Sequence, residues 1–338
     1  MDKLLSVCMI VKNEAEQLNR CLASIKEVAD ELIIVDTGST DDSPEICRRN
    51  GANVLFYEWK DHFADARNYG LTFATCEWIL WLDADEVLDC IKTNLHQYLS
   101  NTHADILSIP VINYYGEDEP VDPNNAFVLS QYRLFRKDNQ LKFIHNIHER
   151  LDINKSHKVE DLLESEICIH HYGYLNSSVE SKEKSLRNLA ILQKNLSGTE
   201  QDPWLYFHIA NELQTLKAYK MSFNFINASI LGFLKSGQKP PAILYRLKYE
   251  LLINSHNYDE AWPGIDKAIE LYPDYVDLHY LKGLILFAKS DYKESMNAFK
   301  HCLELGEDHT HYLILKGTGS FRASKKLKEC HERIGLNG

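Results

Sequence analysis

Residues 78–86 read WILWLDADE. Trp78, Ile79, Leu80, Trp81 and Leu82 form a short unbroken apolar run, the pattern of a strand buried on both faces. Asp83, Asp85 and Glu86 follow at once. Three carboxylates so close together repel one another unless a cation neutralises them, and carboxylate oxygens are the ligands that Mg²⁺ and Mn²⁺ prefer. In open α/β sheets, ligands bind beyond the carboxyl ends of the strands. The stretch therefore predicts a buried strand that delivers an acidic, metal-binding tip to a crevice. A plain acidic turn is the alternative, and a bare Asp-x-Asp does not decide between them.

The residues on either side give the tip a setting. Leu4–Val11 reads as a buried strand, followed by Lys12, Asn13 and Glu14 and then a helical pattern through Leu18, Leu22 and Ile25. Glu31–Val35 is a second buried strand, ended by Asp36 and a loop of small residues around Gly38. A helix through Ile46 and Cys47, a strand at Asn53–Tyr57 and a helix at Ala64–Thr75 come next. Strands alternating with helices predict βαβ units and a parallel sheet. Polar groups gather after successive strands, which makes one rim of one sheet. On that rim a carboxylate such as Asp36 can accept hydrogen bonds from a base or ribose, and Gly38 allows close backbone approach. Arg67 and Asn68, just before the acidic strand, are placed to reach a diphosphate or the acids themselves. A simple ion pair between Arg67 and Asp83 is the equal alternative.

SVCMIVKNE, IIVDTGSTDDS, FADARNYG and WILWLDADE, in this order over roughly the first ninety residues, resemble the family 2 glycosyltransferases of the GT-A fold. The resemblance implies a nucleotide-sugar donor, a UDP-sugar first among them, over a Rossmann-like sheet. It carries Val11, Asn13, Glu14, Asp36, Gly38, Asp65, Arg67, Asn68, Asp83 and Ala84 to donor binding, and Asp85 to a Mn²⁺ or Mg²⁺ ion. Farther on, the RLFR run at 133–136 and the IHE run at 147–149 are similar to the bacterial branch that includes lipopolysaccharide-core and peptide glycosyltransferases. Inverting transfer needs a base opposite the leaving nucleotide. Glu149 is the first candidate and His148 the second, a structural His–Glu pair being the plainer reading. HYGY at 171–174 resembles the family's late metal-contacting segment, and makes His171 a candidate ligand alongside Asp85. The order HxxHE at 145–149 lacks the HExxH spacing of zinc proteases.

Composition excludes some classes. The chain has 338 residues, enough for two domains, and a net charge of −12. That balance opposes binding along a nucleic-acid backbone, which needs a basic face. No apolar run reaches the length of a membrane span. The N-terminus is charged too early for a signal peptide. Eight scattered cysteines without a CxxC pair predict reduced thiols in a cytoplasmic protein.

The second half turns helical. Tyr258-Asp259-Glu260-Ala261 aligns with Tyr292-Lys293-Glu294-Ser295, and Ala268-Ile269-Glu270-Leu271 aligns with Cys302-Leu303-Glu304-Leu305. Both offsets equal the 34-residue period of tetratricopeptide repeats. Units at about 240–273 and 274–307 are clear, and a degenerate one falls at 203–236. The expected division is a GT-A domain at 1–176, a helical linker at 177–202 with Ser177 or Ser178 as its N-cap, and a repeat domain at 203–338. Such repeats form a concave groove, expected to hold a protein or peptide acceptor, with Tyr245 and Tyr280 placed on it. The acidic loop Gly116–Asn125 is a second candidate for acceptor contact. Competing expectations are a helical cap or homodimer surface, an acceptor that is a cell-surface polysaccharide or lipid-linked core, and a repeat scaffold carrying an inactive transferase domain.

Overall fold

The structure is a computed structural model, and it describes residues 3–90, 93–116, 120–138, 141–163, 166–175, 178–196 and 202–336. The chain divides into two compact units. One comprises 1–116 and 129–175; the other comprises 117–128 and 176–338.

The first unit runs β1 (Leu5–Val11), α1 (Ala15–Ile25), β2 (Glu31–Asp36), α2 (Ser43–Arg49), β3 (Asn53–Phe56), α3 (Phe63–Leu71), β4 (Trp78–Trp81) and β5 (Glu86–Asp89). It continues with α4 (Leu95–Asn101), β6 (Ile106–Gly116), β7 (Ala126–Arg136, whose first three residues belong to the other unit), β8 (Phe143–Ile144), β9 (Arg150–Leu151), β10 (Val159–Asp161) and β11 (Cys168–Leu175). The main sheet has the order β3-β2-β1-β4-β7-β6-β11-β5, with β10 beside β6. β1 pairs in parallel with both β2 and β4. The strand order therefore reverses at β1, the switch point where doubly wound sheets open a binding crevice. Beyond β4 the sheet is mixed: β7 runs antiparallel to β4, and β5 antiparallel to β11.

The apolar runs behave as their patterns require. Trp78, Ile79, Leu80 and Trp81 are all buried, as are Leu5, Val7, Cys8 and Met9 of β1. Each buried Leu or Ile contributes about 1.5–3 kcal/mol of transfer free energy. α1 buries Leu18, Cys21, Leu22 and Ile25, the i, i+3, i+4, i+7 stripe of an amphipathic helix. α3 lies very close to the sheet because of Gly70. A Cβ there would come within 2.9 Å of Val35 and 3.4 Å of Trp81.

The helical unit begins with α5 (Ser178–Asn195); Ser177, the alternative cap, lies outside the described residues. Three helix pairs follow: α6 (Pro203–Thr215) with α7 (Tyr219–Lys235), α8 (Ala242–Asn254) with α9 (Tyr258–Ala261) and α10 (Ile265–Leu271), and α11 (Val276–Ala288) with α12 (Tyr292–Leu305). β12 (Ile314–Leu315) and α13 (Phe321–Leu336) close it. The second helix of the middle pair is interrupted at Trp262–Pro263, because proline removes a helical donor. The repeat shows in the packing: Ser222 donates to the Ala210 carbonyl at 2.6 Å, and Ser295 donates to the Gly283 carbonyl at 2.8 Å. Each hydroxyl reaches the helix twelve residues before it.

Two features of this unit were not expected. Tyr280 is buried against Phe299, with ring centroids 5.4 Å apart, so it is a core residue rather than a groove residue. The second half of the acidic loop also belongs here. Phe127 and Val128 pair with Leu315 and Ile314 of β12, and Arg322 Nη2 donates to the Asn124 carbonyl and the Asn125 side chain. Residues 117–119 of that loop lie outside the described residues.

Candidate active site

The rim beyond β1, β2 and β4 is built from loops that fasten one another. In the β1–β2 register Val11 stands opposite Asp36, and the Val11 carbonyl accepts from the backbone and hydroxyl of Thr37. Asp36 is buried and accepts from the backbone of Gly38 at 3.3 Å and Ser39 at 3.2 Å. Asn13, with a left-handed φ of 56°, accepts from Thr40 N at 2.7 Å, while its own N–H donates to Ser39 Oγ. Glu14 N donates to Ser43 Oγ at 2.8 Å. Gly38 has φ 101° and open space where a Cβ would stand. These residues thus form one interlocked ledge.

The acidic tip is held by two arginines. Arg67 Nη2 lies 3.1 Å from Asp83 Oδ1, and the same guanidinium grips Glu149 Oε1 through Nη2 at 2.5 Å and Nε at 2.6 Å. Its carbon sits 5.0 Å from the Trp81 ring and 5.3 Å from the Phe143 ring. Among the described residues, buried Arg67 Nη1 has no hydrogen-bond partner. Arg133 Nη2 lies 3.3 Å from Asp83 Oδ2 and 2.8 Å from Glu86 Oε1. Burial alone would raise the Asp83 carboxyl, but Arg67 and Arg133 hold it below the usual carboxylate range. Burial pushes Glu86 up, with Arg133 opposing.

Asp85 faces His171, Oδ2 to Nε2, at 3.4 Å. Asn113 Nδ2 donates to the Val111 carbonyl, which turns Asn113 Oδ1 toward His171 Nδ1 at 2.8 Å. Nδ1 therefore carries the proton that Asn113 accepts, and Nε2 is the nitrogen presented to Asp85. Burial opposes a proton on His171, but the hydrogen bond and charge of Asp85 outweigh it and raise its affinity. This is how a histidine ligand is oriented by an outer hydrogen bond. Gly173 makes the room: a Cβ there would stand 2.1 Å from Asp85 Oδ2 and 2.7 Å from His171 Nε2.

The structure thus brings together Asp83, Arg67 and Glu149, and pairs Asp85 with His171. Ala84 is buried between the two acids. His148 has φ 52° in the turn joining β8 to β9, next to Glu149. Two expected donor contacts have other partners. Both functions of the Asn68 amide bind the backbone of Phe143, each at 2.8 Å. Asp65 is exposed on the first turn of α3, 3.4 Å from His62. Arg133 and Asn113 are members of the cluster that the sequence does not single out, and Glu86, expected as the third carboxylate of the metal-binding tip, is paired with Arg133 at 2.8 Å. Arg133 stands in the RLFR run and Glu86 in the acidic run, so the residues were in view but their contacts were not.

Residues 6–162 match the sequence profile of glycosyl transferase family 2. They are a family 2 glycosyltransferase domain. Among curated proteins, the chain is similar to a TPR repeat-containing protein of Synechococcus elongatus, 32% identical over 269 residues, covering 78% of this chain and 64% of that protein. It is also 27% identical over 288 residues to the SPbeta prophage-derived glycosyltransferase SunS of Bacillus subtilis, covering 82% of this chain and 65% of SunS. The chain spans just under two thirds of the length of these relatives. Among solved structures, S. aureus TarS 1–349 in complex with UDP-GlcNAc is a distant likeness, with a TM-score of 0.40 and 15% identity over 88% of this chain and 92% of that one. The transferase domain has the GT-A type of sheet, with helical repeats after it in sequence. No helix among the described residues is long and apolar enough to cross a membrane.

Proposed function

We propose that the chain transfers a sugar, with inversion, from a nucleoside diphosphate sugar to a hydroxyl or other nucleophile of an acceptor. The observation that carries this reading is the Asp83–Arg67–Glu149 chain beside the Asp85–His171 pair, at the carboxyl ends of the central strands. The ledge of Asn13, Asp36 and Gly38 receives the nucleoside, and Asp83 the donor ribose or sugar. Arg67 Nη1 is a charged donor suited to a phosphate or sugar oxygen.

The Asp85–His171 pair fits a divalent cation. Its imidazole is oriented by Asn113, and the absence of a Cβ at Gly173 leaves space at both ligand atoms. A Mn²⁺ or Mg²⁺ ion held there would neutralise charge on the departing diphosphate. Glu149, fixed by Arg67, takes the proton from the acceptor as the acceptor atom bonds to the anomeric carbon and the nucleoside diphosphate leaves. The helical repeats favour a protein or peptide acceptor, since stacked helix pairs present extended surfaces.

Titration with UDP and UDP-sugars, with and without Mn²⁺, tests the donor half. Asp85→Asn should remove the metal-dependent part of nucleotide binding and abolish transfer while leaving the circular dichroism spectrum unchanged. Normal turnover by this variant would refute the metal assignment. Glu149→Gln should leave donor affinity within about twofold and cut transfer roughly a hundredfold or more, the usual worth of a general base. Weakened donor binding with little loss of rate would instead make Glu149 a positioning residue, with His148 as the base.

A further inference from the structure

A second set of ligand-type side chains lies on the β5–β11 pair. In the antiparallel register Cys168 stands opposite Asp89, His170 opposite Val87, and His171 opposite Glu86. Alternation sends Cys168 and His170 to one face of the sheet, together with Asp89, and His171 and Glu86 to the other. The sheet thus separates this set from the acidic tip.

The distances are those of a coordination shell. Cys168 Sγ lies 3.6 Å from His170 Nε2, and Asp89 Oδ2 lies 3.5 Å from the same nitrogen. The three ligand atoms are within 4.8 Å of one another. A tetrahedral zinc with Zn–S of about 2.3 Å and Zn–N and Zn–O of about 2.0–2.1 Å separates sulfur from nitrogen by about 3.6 Å and nitrogen from oxygen by about 3.4 Å. His170 Nδ1 meets the Tyr114 hydroxyl at 2.9 Å, an outer hydrogen bond that fixes the ring. One nitrogen therefore faces both a sulfur and a carboxylate oxygen. Asp89 is partly exposed, which gives an entry path, while Cys168 is buried.

We propose that Asp89, Cys168 and His170 bind a zinc-type transition metal, with a water as fourth ligand, and so staple β5, the last strand of the sheet, to β11. Loading releases the thiol proton to solvent as the sulfur–metal bond forms. The site differs in chemistry from the Asp85–His171 pair: it contains a thiolate and selects a softer metal than Mg²⁺ or Mn²⁺.

The test uses the full chain titrated with Co²⁺, whose thiolate complexes give a near-ultraviolet charge-transfer band, followed by displacement with Zn²⁺. The expected result is one equivalent of cobalt with that band, bleached by one equivalent of zinc. The band should survive Asp85→Asn, His171→Ala and Cys90→Ser, and disappear in Cys168→Ser. Asp89→Asn, at a partly exposed position, should fold and bind roughly ten- to a hundredfold more weakly. It thus gives an answer even if Cys168→Ser does not fold. Absence of a thiolate band in the unmodified chain, or unchanged affinity in Asp89→Asn, overturns the proposal.

Discussion

Gly173→Ala should abolish metal-dependent transfer while leaving the protein folded. The added methyl would stand 2.1 Å from Asp85 Oδ2 and 2.7 Å from His171 Nε2, far inside contact distance. The Asp85 carboxylate is the end of a short side chain, so it can swing aside without moving the sheet. In doing so it leaves His171, and the pair is broken. The expected result is a rise of roughly ten- to a hundredfold in the metal concentration needed for nucleotide binding, with a larger loss of transfer. Metal titration at fixed UDP reads the first, and product formation the second. An alanine variant with normal metal affinity would show that the Asp85–His171 pair is not where the cation sits.

In the helical unit the largest expected effect is on stability. Asp277 is buried and pairs with buried Arg246, Oδ2 to Nε, at 2.8 Å. It also accepts from Thr318 Oγ1 at 2.8 Å and from Leu315 N at 3.0 Å. Asp277→Ala strands the guanidinium in a site with little water and removes the partners of two further donors. Breaking such a pair from one side costs about 3–5 kcal/mol. For a unit of this size that lowers the melting temperature by roughly 10 °C. Glu250, 3.1 Å from Arg246, softens the loss without cancelling it. Arg246→Met combined with Asp277→Leu should recover a large share, since an apolar pair has no charge to desolvate. Thermal unfolding followed at 222 nm checks both variants; a single variant melting within 1 °C of the parent would mean that the pair contributes no net stability.

The elements that place the active site could be read because they are local. The apolar runs of β1, β2 and β4 announce themselves, and a carboxylate at a strand end needs no knowledge of the partner strand. Asp83, Arg67 and Asp85 could therefore be placed on that rim from the sequence, and Glu149 and His171 are candidates from motif resemblance. Arg133 and its pairing with Glu86 could not be placed in this way, because they depend on register. Arg133 reaches Asp83 only because β7 lies antiparallel to β4, with Arg136 opposite Trp78 and Leu134 opposite Leu80. Glu86 stands beside the cluster because β5 returns along β11. Asn68 and Tyr280 show the converse limit. An amide next to an arginine looked like a ligand contact but clamps Phe143, and a tyrosine at an inner-helix position fills the core against Phe299.

The strand pairing between Val128 and Ile314 has a consequence for the order of events during synthesis. A ribosome adding roughly 5–20 residues per second leaves about 10–40 s between the appearance of the two partners. Over that interval the start of β7 has no antiparallel neighbour from β12, although the rest of its unit's helices emerge one hairpin at a time. Helix pairs can form as they appear, because their contacts are local, whereas the distant pairing must wait for β12. A nascent chain stalled before Ile314 should thus carry formed helix pairs with the segment around Phe127 still open to protease. Release of the full chain should close it.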